Sequence, residues 1–297
     1  MTLRSRQAAE FTLADGPRVT HLRRLSSGRS HAAYAGRLVD GSAVVCKVSA
    51  MQDGRLPHEG ASLAALTTAG YPCPEVVALG RICDGNWEAR RCLVLRFLPG
   101  GPPTTGAAFT RLGRRLAELH QLQLRAGALP VHGSTDPRTE ASHLLTALTA
   151  ADRDTLDEIV EAIRRDDCPA VPTHGDAGPG NYLDTPSGGT LIDFETAAMR
   201  PALADIGRCL FLMEVEYGMP AASTEAQELI RSYRNWRHDA TSATDAAIAA
   251  WCAVEGLRVT HWRHENRQHP RTPSWNEALN AVNRALRRVQ NKEYPLC

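Results

Sequence analysis

From residue 34 the chain alternates between apolar and small or polar positions. Tyr34–Val39 and Ser42–Val48 flank Asp40-Gly41, which predicts two strands joined by a hairpin, because Asp-Gly supplies the positive-φ positions of a tight two-residue loop. The pattern then shifts to a helical one. Glu59 through Ala69 carries Leu63 and Leu66 on one stripe and stops at Gly70. Pro72 and Pro74 interrupt the chain, and extended runs are expected at Val76–Leu79 and Arg91–Leu98. The cluster of prolines and glycines from Pro99 to Pro103 is the strongest boundary signal in the sequence. Beyond it, Phe109–Leu124 places Leu112, Leu116 and Leu119 at helical spacing. Helices are also predicted over 142–148, 151–165, 202–218, 222–238, 242–264 and 274–290. The expected organisation is a smaller sheet-rich lobe over 1–98, a hinge near 96–100 and a larger helical lobe over 99–297, without internal repeats.

Bulk composition narrows the classes of partner. A length of 297 residues supports one large core or two modest ones. The net charge of +1 gives no field for nucleic acid or membrane surfaces, and aromatics at 5% argue against base-stacking platforms. Neither class of partner is expected. The first residues contain no apolar core of the kind a secretory signal needs, and the longest apolar run, Ala246–Val254, falls far short of the roughly 20 residues of a spanning helix. The eight cysteines include no close C-x₂₋₄-C pair, so a reducing cytoplasmic setting is expected. The basic residues are almost all arginine, Lys47 and Lys292 being the two lysines. A coding bias toward arginine explains the ratio, but a lysine retained against it raises the question of what a compact ammonium does at that position.

Candidate chemistry concentrates between residues 171 and 195. Val171–Leu183 is dense in turn formers and reads as a loop held by short strands. In it Asp176 is followed five residues later by Asn181, an arrangement suited to phosphoryl transfer: the carboxylate orients an attacking hydroxyl and accepts its proton, and the amide oxygen ligates magnesium. Thr190–Glu195 then places Asp193 at the end of an apolar strand, where a second metal ligand belongs if the two segments form a hairpin around Pro186-Ser-Gly-Gly189. Magnesium needs only one or two carboxylates besides phosphate oxygens. Taken alone, Asp, Asn and Gly in a loop are ordinary turn formers; the paired strand aspartate tips the reading toward chemistry.

The pattern H-G-D-x-x-x-x-N followed by I-D-F-E resembles the aminoglycoside phosphotransferase family of antibiotic and metabolite kinases, with His174, Gly175, Asp176, Asn181, Asp193 and Glu195 all matching. Asp205-Ile-Gly is similar to the D-L-A segment that follows the metal-binding strand there. The resemblance implies an α+β, bilobal, protein-kinase-like fold, with a small antiparallel N-terminal sheet lobe carrying one helix and a larger helical C-terminal lobe. It implies nucleotide-handling residues as well. Val44–Lys47 is similar to the strand whose lysine grips the α- and β-phosphates, with Glu59 as its ion-pair partner. Ser27, Gly28 and Ser30 occupy the position of the nucleotide-covering loop, although the glycine-rich consensus is reduced to one glycine. Arg96, Phe97 and Leu98 stand at the hinge, where backbone groups meet a purine edge. His174 is expected to stabilise the loop, Asp205 to cap a helix or brace the loop, and Glu195 to be a further supporting residue.

The implied activity is transfer of the γ-phosphate of ATP or GTP, with Mg²⁺, to a hydroxyl of a small molecule. An antibiotic acceptor, a primary metabolite such as choline, homoserine or a ketosamine, and a non-catalytic nucleotide binder are the three readings. The third usually lacks one of the functional residues, and here Lys47, Glu59, Asp176, Asn181 and Asp193 are all present. Residues 222–297 carry 11 Lys and Arg against 8 Asp and Glu, which points away from a strongly cationic acceptor. Other templates fail: neither lysine lies in a Walker A sequence, there is no G-x-S-x-G elbow, and Gln268 stands where a His264-Glu265 zincin motif needs its second histidine. His261, His264 and His269 therefore read as a solvated helix face, and His120 as a packed structural residue.

Overall fold

A computed structural model describes residues 10–25, 31–49, 54–84, 87–131, 145–165, 169–185, 188–237, 243–265 and 275–290. The chain divides into two compact units. One comprises Met1–Pro99 together with Asp193–Thr196, and the other comprises Gly100–Ile192 with Ala197–Cys297.

The first unit is built on an antiparallel sheet of β1 (Glu10–Thr12), β2 (Arg18–Arg24), β3 (Ala32–Arg37), β4 (Ala43–Val48), β5 (Val76–Arg81) and β6 (Arg91–Arg96), in the order β1-β2-β3-β4-β6-β5. Period-two alternation sorts the side chains of β4. Val44, Cys46 and Val48 join Phe11, Val19, Tyr34, Ile82 and Val94 in a buried cluster on one face, which leaves Lys47 on the other. The helix α1 (Arg55–Thr68) buries Leu56, Glu59, Leu63 and Leu66, spaced as one helical stripe. It begins four residues before the expected Glu59, because Pro57 in the first turn gives up an amide that has no helical partner there. The strand expected over Arg91–Leu98 ends at Arg96.

The second unit is mostly helical: α2 (Gly106–His120), α3 (Ala150–Arg165), α4 (Ala202–Tyr217), α5 (Thr224–Trp236), α6 (Asp245–Glu265) and α7 (Trp275–Gln290). The expected α2 ran to Leu124, but the helix closes at His120, where the Gln121 amide turns back onto Glu118 O and the Leu122 amide onto Leu119 O. Two short antiparallel pairs complete the unit, β7 (Ala170–Thr173) with β10 (Ala198–Pro201) and β8 (Tyr182–Leu183) with β9 (Thr190–Leu191). Helices α2 and α5 pack together, as do α4 with α6 and α6 with α7. Glycines make two of these contacts close. A Cβ on Gly113 would run into the Leu229 backbone of α5, and one on Gly207 of α4 would run into the Trp251 backbone of α6. Of the expected helix over 142–148, residues 145–148 are described, and they form a turn in which the Leu148 amide donates to Leu145 O. No helix among those described is long and apolar enough to cross a membrane.

Candidate active site

Two clusters of functional side chains form, each inside one unit. In the first, Lys47 extends from the face of β4 opposite the apolar cluster. Its Nζ donates to both oxygens of Glu59, at 2.6 and 2.8 Å, and to Oδ1 of Asp193 at 2.8 Å. Glu59 is fully buried in the middle of the apolar stripe of α1, and the ammonium is what makes a carboxylate tolerable there. Burial works against the charge on Lys47, but Asp193 and Glu59 outweigh it and hold its pKa above the ordinary value. Burial dominates at Glu59, with Asp193 adding repulsion and Lys47 opposing both, and its pKa is pushed up to about 6. Asp193 adopts a left-handed backbone, φ 69°, a conformation aspartate tolerates better than most residues. The strand itself ends at Leu191, so Asp193 belongs to the turn beyond it.

The segment from Asp193 to Thr196 is anchored within this unit. Phe194 is buried edge-on against Tyr71, with ring centroids 6.4 Å apart. Glu195 meets His31 Nε2 at 3.2 Å and Arg55 at 3.5 Å. The hinge residues are more constrained than the sequence indicated. The Arg96 amide donates to Glu75 O at 2.9 Å and the Phe97 amide to Ala43 O at 3.0 Å, so neither is available to a purine. Leu98 and the carbonyls remain. Ser27, Gly28 and Ser30 lie outside the described residues.

The second cluster surrounds the loop after β7. Asp205, in the first turn of α4 and completely buried, accepts the backbone amides of His174 at 2.7 Å and Gly175 at 2.9 Å. Its Oδ2 also lies 3.1 Å from His120 Nε2 of α2, whose Nδ1 is 3.0 Å from the Tyr233 hydroxyl of α5. Burial alone would raise the Asp205 pKa, but the His120 bond, the nearby His174 and the loop amides depress it to about 2. His174 braces the loop from inside: Nδ1 accepts the Asp176 amide at 3.2 Å and Nε2 meets Ile192 O at 2.8 Å. The Ile192 amide in turn donates to Asn181 O at 2.9 Å, which ties the residue before Asp193 to the loop.

Asn181 closes the loop through its side chain. Its Nδ2 donates to Asp176 O and to Asp176 Oδ2, both at 2.9 Å, and its Oδ1 takes part in neither bond. Asp176 is 37% exposed, enough to meet an acceptor. Its Oδ1 receives Arg208 of α4, a partner the sequence did not suggest. The described residues include no dense cluster of metal-ligating side chains. Asn181 in the second unit and Asp193 in the first each carry a hard oxygen of the kind magnesium takes alongside phosphate.

Among solved structures, the chain is similar to a choline/ethanolamine kinase family protein from Mesorhizobium loti, with 18% identity over 91% of this chain and 88% of that one and a TM-score of 0.62. An aminoglycoside phosphotransferase from Alicyclobacillus acidocaldarius gives 15% identity, coverage of 98% and 96%, and a TM-score of 0.63. The spectinomycin phosphotransferase APH(9)-Ia, solved with ADP and spectinomycin, gives 12% identity, coverage of 92% and 93%, and a TM-score of 0.56. These likenesses establish the protein-kinase-like fold expected from the sequence. No curated protein matches in sequence. The family model described as the phosphotransferase enzyme family matches residues 21–245, and the chain belongs to that family.

Proposed function

We propose that the chain is a magnesium-dependent kinase that moves the γ-phosphoryl group of a nucleoside triphosphate to a hydroxyl of a small molecule. The observation that carries this reading is the buried ammonium of Lys47, fixed by Glu59 and Asp193 and kept charged where the sheet would otherwise be apolar. A lysine so placed is suited to the α- and β-phosphates. Asp176 aligns the acceptor hydroxyl and receives its proton late in a loose transition state, while His174, Asn181 and Asp205 hold the loop in shape. Asn181 and Asp193 would hold Mg²⁺, which when bound neutralises charge on the terminal phosphates. Leu98 and the hinge carbonyls remain to meet the purine. A cell interior, where nucleoside triphosphates are abundant, is the setting this reaction needs.

The acceptor we assign is a hydroxyl-bearing antibiotic that is neutral or weakly cationic. Its support is the arginine-rich surrounding of the base: Arg208 pairs with Asp176, and Arg200 and Arg258 share Glu255 with it. That is an unfavourable neighbourhood for a polycation. The test is a nucleotide-consumption screen, with ATP and with GTP, over hydroxyl-bearing antibiotics and metabolites. Turnover confined to the uncharged or weakly charged antibiotics is expected. Comparable turnover of classical aminoglycosides would overturn the charge argument. Turnover of choline, homoserine or a ketosamine alone would make the chain a metabolite kinase, and no metal-dependent consumption with any acceptor would overturn the kinase reading itself.

A further inference from the structure

The Asp176 carboxylate is gripped from two sides. Asn181 Nδ2 holds Oδ2 at 2.9 Å, and Arg208 brings both Nε, at 2.8 Å, and Nη2, at 2.7 Å, to Oδ1. Arg208 lies one helical position beyond Gly207, where α4 and α6 come into backbone contact, and its side chain is 19% exposed.

A purely structural explanation would assign Arg208 to Glu255, which is fully buried on α6 and needs cations. The distances argue otherwise. Glu255 Oε1 already pairs with Arg258 at 2.7 Å and with Arg200, and these arginines, with Arg208, outweigh the burial that would raise its pKa. Arg208 reaches Glu255 at only 3.5 Å, so its short bonds are those to Asp176. A guanidinium can do both, fastening one carboxylate through two donors while a third nitrogen faces another acid. An ammonium, a point charge on a flexible stem, cannot fix the first in the same way.

We infer that Arg208 is a positioning residue for phosphoryl transfer: its two-point grip sets the Asp176 carboxylate so that the remaining lone pairs meet the acceptor hydroxyl. This role rests on the kinase reading. In the step, the acceptor oxygen forms a bond to the γ-phosphorus, and the bond from that phosphorus to the β–γ bridging oxygen breaks. The bonding pair leaves with the nucleoside diphosphate, and the hydroxyl proton passes to Asp176. Since the transition state is loose and the proton moves late, orientation of the base matters more than its strength.

The test measures kcat and KM with MgATP and the best acceptor from the screen, together with melting temperatures. The variants are Arg208→Gln, Arg208→Lys and Asp176→Asn, and each arginine variant is repeated in the Asp176→Asn background. Arg208→Gln is expected to lower kcat about 10- to 100-fold with the nucleotide KM changed less than about twofold, and Arg208→Lys to recover part of the loss. Neither substitution should cost more once Asp176 is Asn, because groups that act as a unit are not additive. Wild-type kcat in Arg208→Gln, or a loss of full size in the Asp176→Asn background, would overturn the inference. Should the Gln variant fail to fold, the Lys pair decides: wild-type kcat there defeats the two-point grip. Failure of the parent reading looks different, since Asp176→Asn would then match wild type.

Discussion

Lys47 and Arg208 carry the same charge and hold the same kind of partner, yet only one of them stood out in the sequence. The chain uses arginine almost throughout, so a lysine inside an apolar strand is informative and one more arginine is not. The physical difference matches the difference in task. A compact ammonium fits between Glu59 and Asp193 and spends its three N–H groups on their oxygens, whereas a planar fork fixes one carboxylate rigidly. Two outcomes test the acids at this scale. Asp176→Asn should lower kcat by about 10²- to 10⁴-fold with nucleotide affinity retained, read from steady-state rates and nucleotide titration. Asp193→Ala should abolish the magnesium-dependent part of nucleotide binding, read by calorimetry with and without the metal. It should also free the backbone at 193 from a left-handed turn that alanine adopts less readily.

Element-scale behaviour turns on α4, which carries the anchor Asp205 and the cation Arg208 on either side of Gly207. Because a Cβ at 207 would meet the Trp251 backbone, Gly207→Ala must push α4 off α6 and draw both residues away from the loop. We expect a loss of about 1–3 kcal/mol in stability by urea denaturation, accompanied by a fall in kcat. The anchor has a pH signature too. The Asp205 pKa is depressed from 3.8 to about 2 on folding, so its contribution is fully present above the unfolded value and is lost as pH falls through the folded one. Relative to Asp205→Asn, the wild type should gain roughly 2 kcal/mol at neutral pH and lose more than half of that advantage by pH 2.5. An advantage unchanged between those pH values would contradict the assignment. The resemblance of Asp205-Ile-Gly to the D-L-A segment singled out Asp205 as a helix cap or loop brace, but the sequence gave no sign of His120 and Tyr233 behind it. Those contacts join α2, α4 and α5 across gaps of 85 and 113 residues, which no local pattern encodes.

At the scale of the whole molecule, the fold was legible wherever periodicity and turn chemistry were strong. The Asp40-Gly41 hairpin and the stripe of α1 both follow from local rules. Glu59 was legible through the resemblance, which pairs the strand lysine with an acid at the start of the next helix. Which backbone groups of the hinge are taken was not legible, because whether an amide is free depends on which strand lies beside it and not on the side chain it precedes. The path of the chain adds something more practical. Asp193–Thr196 packs with the first 99 residues, although the segments on both sides of it pack with the remainder. The polypeptide therefore cannot be severed into two self-sufficient pieces at the proline-rich break. A fragment ending at Pro99 would keep Lys47 facing Glu59 but forfeit the third member of that ionic group, and the complementary fragment would carry Asp193 without the lysine it answers. Anyone seeking a minimal nucleotide-binding module in this protein would have to splice those four residues back, or work with the intact chain.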